Sequence, residues 1–250
     1  MNATTAARID PLDQGGNIIR NFVIAIIIVY FAMIPLFWHL EVNEGVSHSL
    51  ATNTMTILQI LCYVALLVFP WLRLPGRQHK TTSQRLSLMI IIWCFICLTP
   101  RFTWELPWLF FLDQIREGVN SGALWSYTWS PYLIGGDARY LNGDPLVVVL
   151  EWIAVFVGAF EGYALWKFFS QGKSFTNVQL SFIMAGMIVE VTLPAIYFGV
   201  EIANNMENVA SPADLIIKFA LLNSFWCTLP LVTFFWGLGR VARQDLKVEF

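Results

Sequence analysis

Five side chains in this sequence combine groups that move protons with groups that stabilise positive charge: Glu105, Glu151, Arg101, Asn223 and Trp226. All five fall inside apolar stretches. A charge within hydrocarbon is costly to bury, so an intramembrane carboxylate marks a functional site by default. An apolar pocket favours the neutral form of a carboxyl group, which can then donate a proton near neutral pH. A second carboxyl, kept ionised by Arg101 or Asn223, can take a proton away. Trp226 offers a π face to the positive charge between the two steps. Two such groups over an apolar substrate describe a proton-shuttling double-bond isomerase, a scheme the residue types permit without requiring it.

The elements that would position these groups are membrane helices. Hydrophobic residues make up 57% of the chain and charged residues 13%, and mean hydropathy is +0.61. A soluble domain carries about 25% charged residues. A bilayer crossing needs about 20 apolar residues, and six stretches approach or exceed that: 18–40, 54–74, 86–112, 144–169, 177–203 and 213–239. The expected fold is all-α, a multi-pass transmembrane bundle. With the N-terminus inside, Arg8, Arg20, Arg73, Arg77, Lys80, Arg85, Lys167, Lys173, Arg240, Arg243 and Lys247 gather on one side. Glu41, Glu44, Asp113, Glu117, Asp137, Asp144, Glu207 and Asp214 gather on the other. The positive-inside rule places both termini in the cytoplasm. Residues 1–17 lack the order of a cleaved signal peptide, so the first span is expected in the mature protein. A net charge of -2 argues against nucleic acid as a partner.

The spacing of polar residues predicts their neighbours. Arg101 and Glu105 share a helix face at i,i+4 and can pair. Pro100 and Pro107 flank them, so the third helix should bend or break there. In the fourth span, Gly158 and Gly162 lie near the Glu151 face and admit a close approach, while Glu161 reads as a packing or interfacial residue. Glu190, Tyr197 and Glu201 share a face of the fifth span; Glu190 needs a partner at mid-membrane, and Glu201 is near enough to the surface to be solvated. Asn223 and Trp226 share a face of the sixth, where Asn223 is either a ligand contact or interhelical glue. At 1.5 Å per residue, Glu105, Glu151, Arg101, Asn223, Trp226 and Glu190 converge on one layer in the outer half of the bilayer, which implies a pocket between helices. The outer segment 113–143 reads as a long loop whose aromatic residues Trp125, Tyr127, Trp129 and Tyr132 form a lid on the membrane surface. Trp108 joins the candidate substrate-binding residues.

Cys62, Cys94, Cys97 and Cys227 all lie in spans and read as small buried residues, and His39, His48 and His79 read as solvated. No metal-ligand set or phosphate loop is apparent, so no cofactor is expected. The expected partners are a small apolar lipid or sterol-like substrate and the surrounding membrane lipid, with a homodimer open.

One run identifies the chain best. Gly136-Asp137-Ala138-Arg139-Tyr140-Leu141, Gly143-Asp144, Val147-Val148 and Glu151, preceded by the aromatic residues from Trp125, resemble the central motif of the emopamil-binding protein family, which carries the EXPERA domain. Asn223-Ser224-Phe225-Trp226 before Leu229-Pro230 resembles that family's last-helix motif, Tyr197-Phe198 with Glu201 a third segment, and Arg85-Leu86-Ser87-Leu88 the start of its second helix. The likeness covers residues 54–240. It implies a five-helix membrane domain with a cavity for sterols or amphipathic amines. Residues 18–40 then form an additional transmembrane helix, and 241–250 a cytoplasmic tail. Catalytic members are sterol Δ8–Δ7 isomerases; others bind or traffic sterols. Carried over by position, Glu151, Glu105, Asn223 and Trp226 become catalytic candidates, and Tyr140 and Asp137 substrate-binding ones; Glu190 and Tyr197 join the substrate-binding candidates from their shared face on the fifth span. Arg101 stands where the catalytic members have a His four residues before the second-helix carboxylate. An Arg stays protonated, so here it would orient a substrate or a carboxylate. Both the endoplasmic reticulum and a bacterial inner membrane fit the sequence.

Overall fold

The computed structural model describes residues 11–75 and 77–249. The first ten residues of the expected N-terminal segment lie outside the described ones. Among the described residues the chain is 81% helical with no strands, and six helical stretches are long and apolar enough to cross a membrane. The protein is an integral, multi-pass membrane helical bundle. An even number of crossings puts Pro11 and Glu249 at the same end, called here the terminal end; the opposite one is the loop end.

The spans are α1 (Pro11–Val42), α2 (His48–Val68), α3 (Thr82–Pro100) continued by α4 (Leu106–Asn120), α6 (Pro145–Ser170), α7 (Asn177–Ala203) and α9 (Leu222–Arg243), with short helices α5 (Ala138–Asn142) and α8 (Pro212–Asp214) between. α7 packs against both α6 and α9, and α1 packs on α2. Trp93, Cys94, Cys97, Leu165, Phe168, Leu180 and Met187 fill the core toward the terminal end. Trp108, Ile115, Leu133, Tyr140, Val147 and Tyr197 fill the core toward the loop end. Many large apolar side chains face outward, such as Phe156 and Phe235, as a lipid-facing surface requires.

The third span breaks where its prolines foretell. A π turn, Arg101–Glu105, joins α3 to α4, and Phe111 leaves helical geometry farther on. A π turn adds one residue to a helical turn, and such bulges concentrate at functional sites. A second, Leu215–Leu221, precedes α9.

The segment after α4 is less of a loop, and less of a lid, than its composition suggests. α4 runs on to Asn120, and the chain then folds into a short 3-10 turn, a π turn over Pro131–Gly136, and α5. Trp125 is 55% exposed, but Tyr127 and Trp129 are buried. Tyr127 Oη donates to Glu41 (2.7 Å) and Trp129 Nε1 to the Trp104 carbonyl (3.1 Å). Burying those polar edges needs partners inside the protein, which is why the segment sinks into the bundle.

α1 is clasped at both ends. Trp38 Nε1 donates to the Gly122 carbonyl (2.8 Å) at the loop end, and Phe22 stacks on Phe69 (4.1 Å) at the other. The final residues return to the bundle, where Phe175 N–H donates to the Leu246 carbonyl and Val248 N–H to the Lys173 carbonyl, 2.9 Å each.

Candidate functional site

The run from Asp137 to Glu151 builds one wall of the site through two consecutive caps. Asp137 caps α5, accepting from Arg139 N–H (2.8 Å). Gly143 then ends α5 at φ +68°, a left-handed conformation that suits glycine. Asp144 caps α6, accepting from Leu146 N–H (2.8 Å), and Pro145 occupies its first turn. This tight reversal folds Tyr140 back over α6, where its hydroxyl donates to Glu151 Oε1.

Glu105, from the π turn of the third span, stands beside Glu151 on the cavity wall, the two carboxyls near enough to influence each other; Glu105 Oε2 is buried with no hydrogen-bond partner. Their carboxyls face a cavity of about 850 Å³ lined chiefly by apolar and aromatic side chains, including Trp104, Tyr132, Tyr140, Trp226, Tyr63 and Tyr30. That volume lies within the range of small-molecule pockets. Trp104, Trp108, Tyr132 and Tyr197 surround the Tyr140 ring at centroid distances of 5.0–6.2 Å. Burial, with the neighbouring Glu151 carboxylate, raises the Tyr140 phenol well above its usual value, so it stays a donor. Burial likewise raises Tyr132.

A second network backs this wall. Arg139 grips Asp137 through Nη2 (2.7 Å) and Glu201 through Nε (2.9 Å). Its guanidinium also lies over the Tyr197 ring, 4.4 Å from the centroid. Burial lowers its basicity, but the Asp137 hydrogen bonds and charge outweigh that and raise it overall. Tyr197 donates to Asp137. Glu201 is fully buried rather than solvated, because Arg139 supplies the charge partner that the sequence reading left out.

Arg101 does not pair with its i+4 neighbour Glu105. Its guanidinium turns toward α6 and α7, donating to the Ala154 carbonyl (2.9 Å), lying 3.4 Å from Glu161, and contacting Glu190. A buried fork of five donors is satisfied by several acceptors at once, and two carboxylates with a carbonyl satisfy it better than Glu105 alone. Glu190 thereby finds the partner it needed. Glu161 is fully buried and belongs to this cluster, not to the interface. Gly158 makes the approach possible: a Cβ there would stand 2.7 Å from Arg101 Cδ.

Asn223 lines the cavity, but its amide N–H groups go to the Tyr132 hydroxyl (3.2 Å) and to the Lys218 and Phe219 carbonyls (3.2 and 2.8 Å). It bonds carbonyls of the π turn Leu215–Leu221 and reaches no carboxylate. Trp226 lines the cavity with its ring against Trp93 and Tyr63, at 5.5 and 6.1 Å. Trp108 is fully buried behind Tyr140 and, like Asp137, stays off the cavity surface; both act through the residues in front of them.

Six aromatic residues of the cavity went unread in the sequence: Tyr30, Phe31, Tyr63, Phe95, Trp104 and Phe169. Trp104 precedes Glu105 and carried its own signal. Tyr30 and Tyr63 carried none, since their stacking across α1 and α2 (6.2 Å) depends on how those helices dock. The first helix is thus part of the cavity wall. Ile27 and Phe31 of α1 and Phe95 of α3 line the cavity and are 47%, 53% and 47% exposed, so the space opens sideways toward lipid between those helices.

No group of three or more metal-ligating side chains gathers among the described residues. Compared with models of protein families and with curated proteins, the chain finds no match in either.

Proposed function

We propose that the protein is a membrane-embedded isomerase that moves a double bond in a sterol-like or isoprenoid lipid. The observation that supports it most is the Glu105–Glu151 pair on the wall of an apolar cavity open to lipid. Two neighbouring carboxyl groups on an apolar wall do not readily ionise together, so the pair offers one acid and one base. In the proposed reaction the acid adds its proton to one alkene carbon. The resulting carbocation lies against aromatic faces, with Trp104 and Trp226 available. The base removes a proton from the neighbouring carbon, and the double bond reforms one position along. The net proton count is unchanged, and the adjacency of the carboxyls lets the proton return to the first. Tyr140 holds Glu151 in place and adds a donor to its charged form. The resemblance to the emopamil-binding protein family agrees with this chemistry and with either an endoplasmic reticulum or a bacterial inner membrane. Incubating the purified protein with sterols and isoprenoids in deuterated water should yield deuterated, double-bond-shifted lipid. A panel with neither change would end the catalytic reading.

A second reading, a lipid-binding or transport protein without chemistry, draws support from Arg101. That residue replaces the resembled enzymes' His and is held by Glu161 and Glu190, so it moves no proton. Under this reading Glu151→Gln alters lipid affinity and there is no turnover to lose.

A further inference from the structure

Far from the cavity, at the terminal end, the chain between α2 and α3 concentrates positive charge without balance. Residues 69–85 include Arg73, Arg77, Lys80 and Arg85, with His79, and contain no Asp or Glu. The segment leaves one span at Trp71 and begins the next at Thr82, which sets it at the depth of lipid headgroups. A cleft of about 590 Å³ lies there, lined by Trp71, Arg73, His79, Lys80, Thr82 and Arg85.

The loop is folded around a buried guanidinium. Arg85 donates to four carbonyls, those of Pro70, Leu72, Arg77 and Lys80, at 3.0–3.1 Å. Carbonyls satisfy its hydrogen bonds but leave its charge unmatched. Arg77 is 3% exposed, and its Nε and Nη2 have no hydrogen-bond partner. A buried donor left unpaired is expensive, and a second guanidinium beside it adds repulsion. Burial, and then the Arg85 charge, lower the basicity of Arg77. α3 begins at the same place, capped by Thr81 and free of acidic residues in its first turn, so its dipole adds to the positive potential. Glu249 touches Gln84 (3.5 Å) and Lys247 (3.9 Å) rather than the guanidinium groups. Trp71, half-exposed at the cleft, suits the interface between headgroups and hydrocarbon.

We propose that this cleft binds a phosphate group, carried by an anionic phospholipid headgroup or free in solution. A phosphate brings the charge and the acceptor oxygens that the basic residues lack.

The full chain is reconstituted in phosphatidylcholine vesicles containing a minor fraction of phosphatidylglycerol, and retained lipids are counted by native mass spectrometry. A parallel arm titrates inorganic phosphate against thermal unfolding in neutral detergent. The wild type should retain phosphatidylglycerol in preference, and Arg73→Gln with Lys80→Gln should cut that preference about 30-fold, about fivefold per basic residue. Stabilisation by inorganic phosphate that the same double variant abolishes also supports the site and assigns the phosphate to solution. Arg20→Gln with Lys167→Gln removes the same charge elsewhere and should change neither readout. Equal losses in both double variants, or no selectivity in either arm, would overturn the proposal. Wild-type melting behaviour in phosphate-free neutral detergent certifies the fold of each variant, because Arg73 and Lys80 side chains are not part of the Arg85 clamp.

Discussion

Tyr140 donates its hydroxyl hydrogen to Glu151 across the turn at Gly143 and Asp144, so the aromatic wall of the cavity and its central carboxylate are held by one contact. Removing that donor leaves a buried carboxylate short of a partner, a loss of about 1.5–3 kcal/mol for a bond to a charged group. Tyr140→Phe should therefore lower the melting temperature while preserving the fold, seen by circular dichroism in detergent, and should slow any turnover more than it weakens lipid binding.

The two carboxyls make different demands from a packed ion pair. Glu105→Gln and Glu151→Gln keep shape and hydrogen-bonding capacity but abolish acid and base function, so each should reduce deuterium exchange into lipid about 10²–10⁴-fold. Retained lipid, measured by mass spectrometry, should change far less. Because the carboxyls meet on one wall, the proton should be added and removed on the same face of the substrate, which stereochemical analysis of the deuterated product would check.

Arg101 is bound to Glu161 and Glu190, so its loss leaves two carboxylates in the core. Arg101→Met alone should destabilise by about 3–5 kcal/mol. Adding Glu161→Gln and Glu190→Gln should restore much of it, whereas adding Glu105→Gln should not. Denaturant or thermal unfolding of the four proteins decides which carboxylates are the partners.

Two glycines on the same helix separate close approach from mere small size. At Gly158 a methyl group would meet Arg101 Cδ at 2.7 Å, while at Gly162 its nearest neighbour is Leu98 Cδ1 at 3.9 Å. Gly158→Ala should cost about 1–3 kcal/mol by overpacking, and Gly162→Ala should be near neutral or slightly stabilising.

Tyr127, Tyr132 and Tyr140 all titrate above the ordinary phenol value of 10.0, because burial disfavours their ionised forms. A raised folded-state value means that the protonated form favours folding. That contribution is complete below the unfolded-state value and is lost as pH rises beyond it. Stability should thus fall above about pH 10, and tyrosinate absorbance from these three should appear only with unfolding.

The membrane class, the six crossings, the break between Pro100 and Pro107 and the inward position of Glu151 were legible in the sequence, because each rests on hydropathy, proline geometry or the cost of burying charge, which act locally. Depth along each helix also set Glu105 level with Glu151. Pairing was not legible. Whether Arg101 turned to Glu105 or to Glu161 and Glu190, whether Asn223 served a ligand or the carbonyls of a π turn, and whether Glu201 met water or Arg139 depended on rotation and docking of the helices. A guanidinium takes the set of acceptors that best satisfies all its donors, and only the tertiary structure decides which acceptors stand within reach. The first helix teaches the same lesson: its hydropathy marked a span, but only its docking on α2 made Tyr30 and Phe31 part of the cavity.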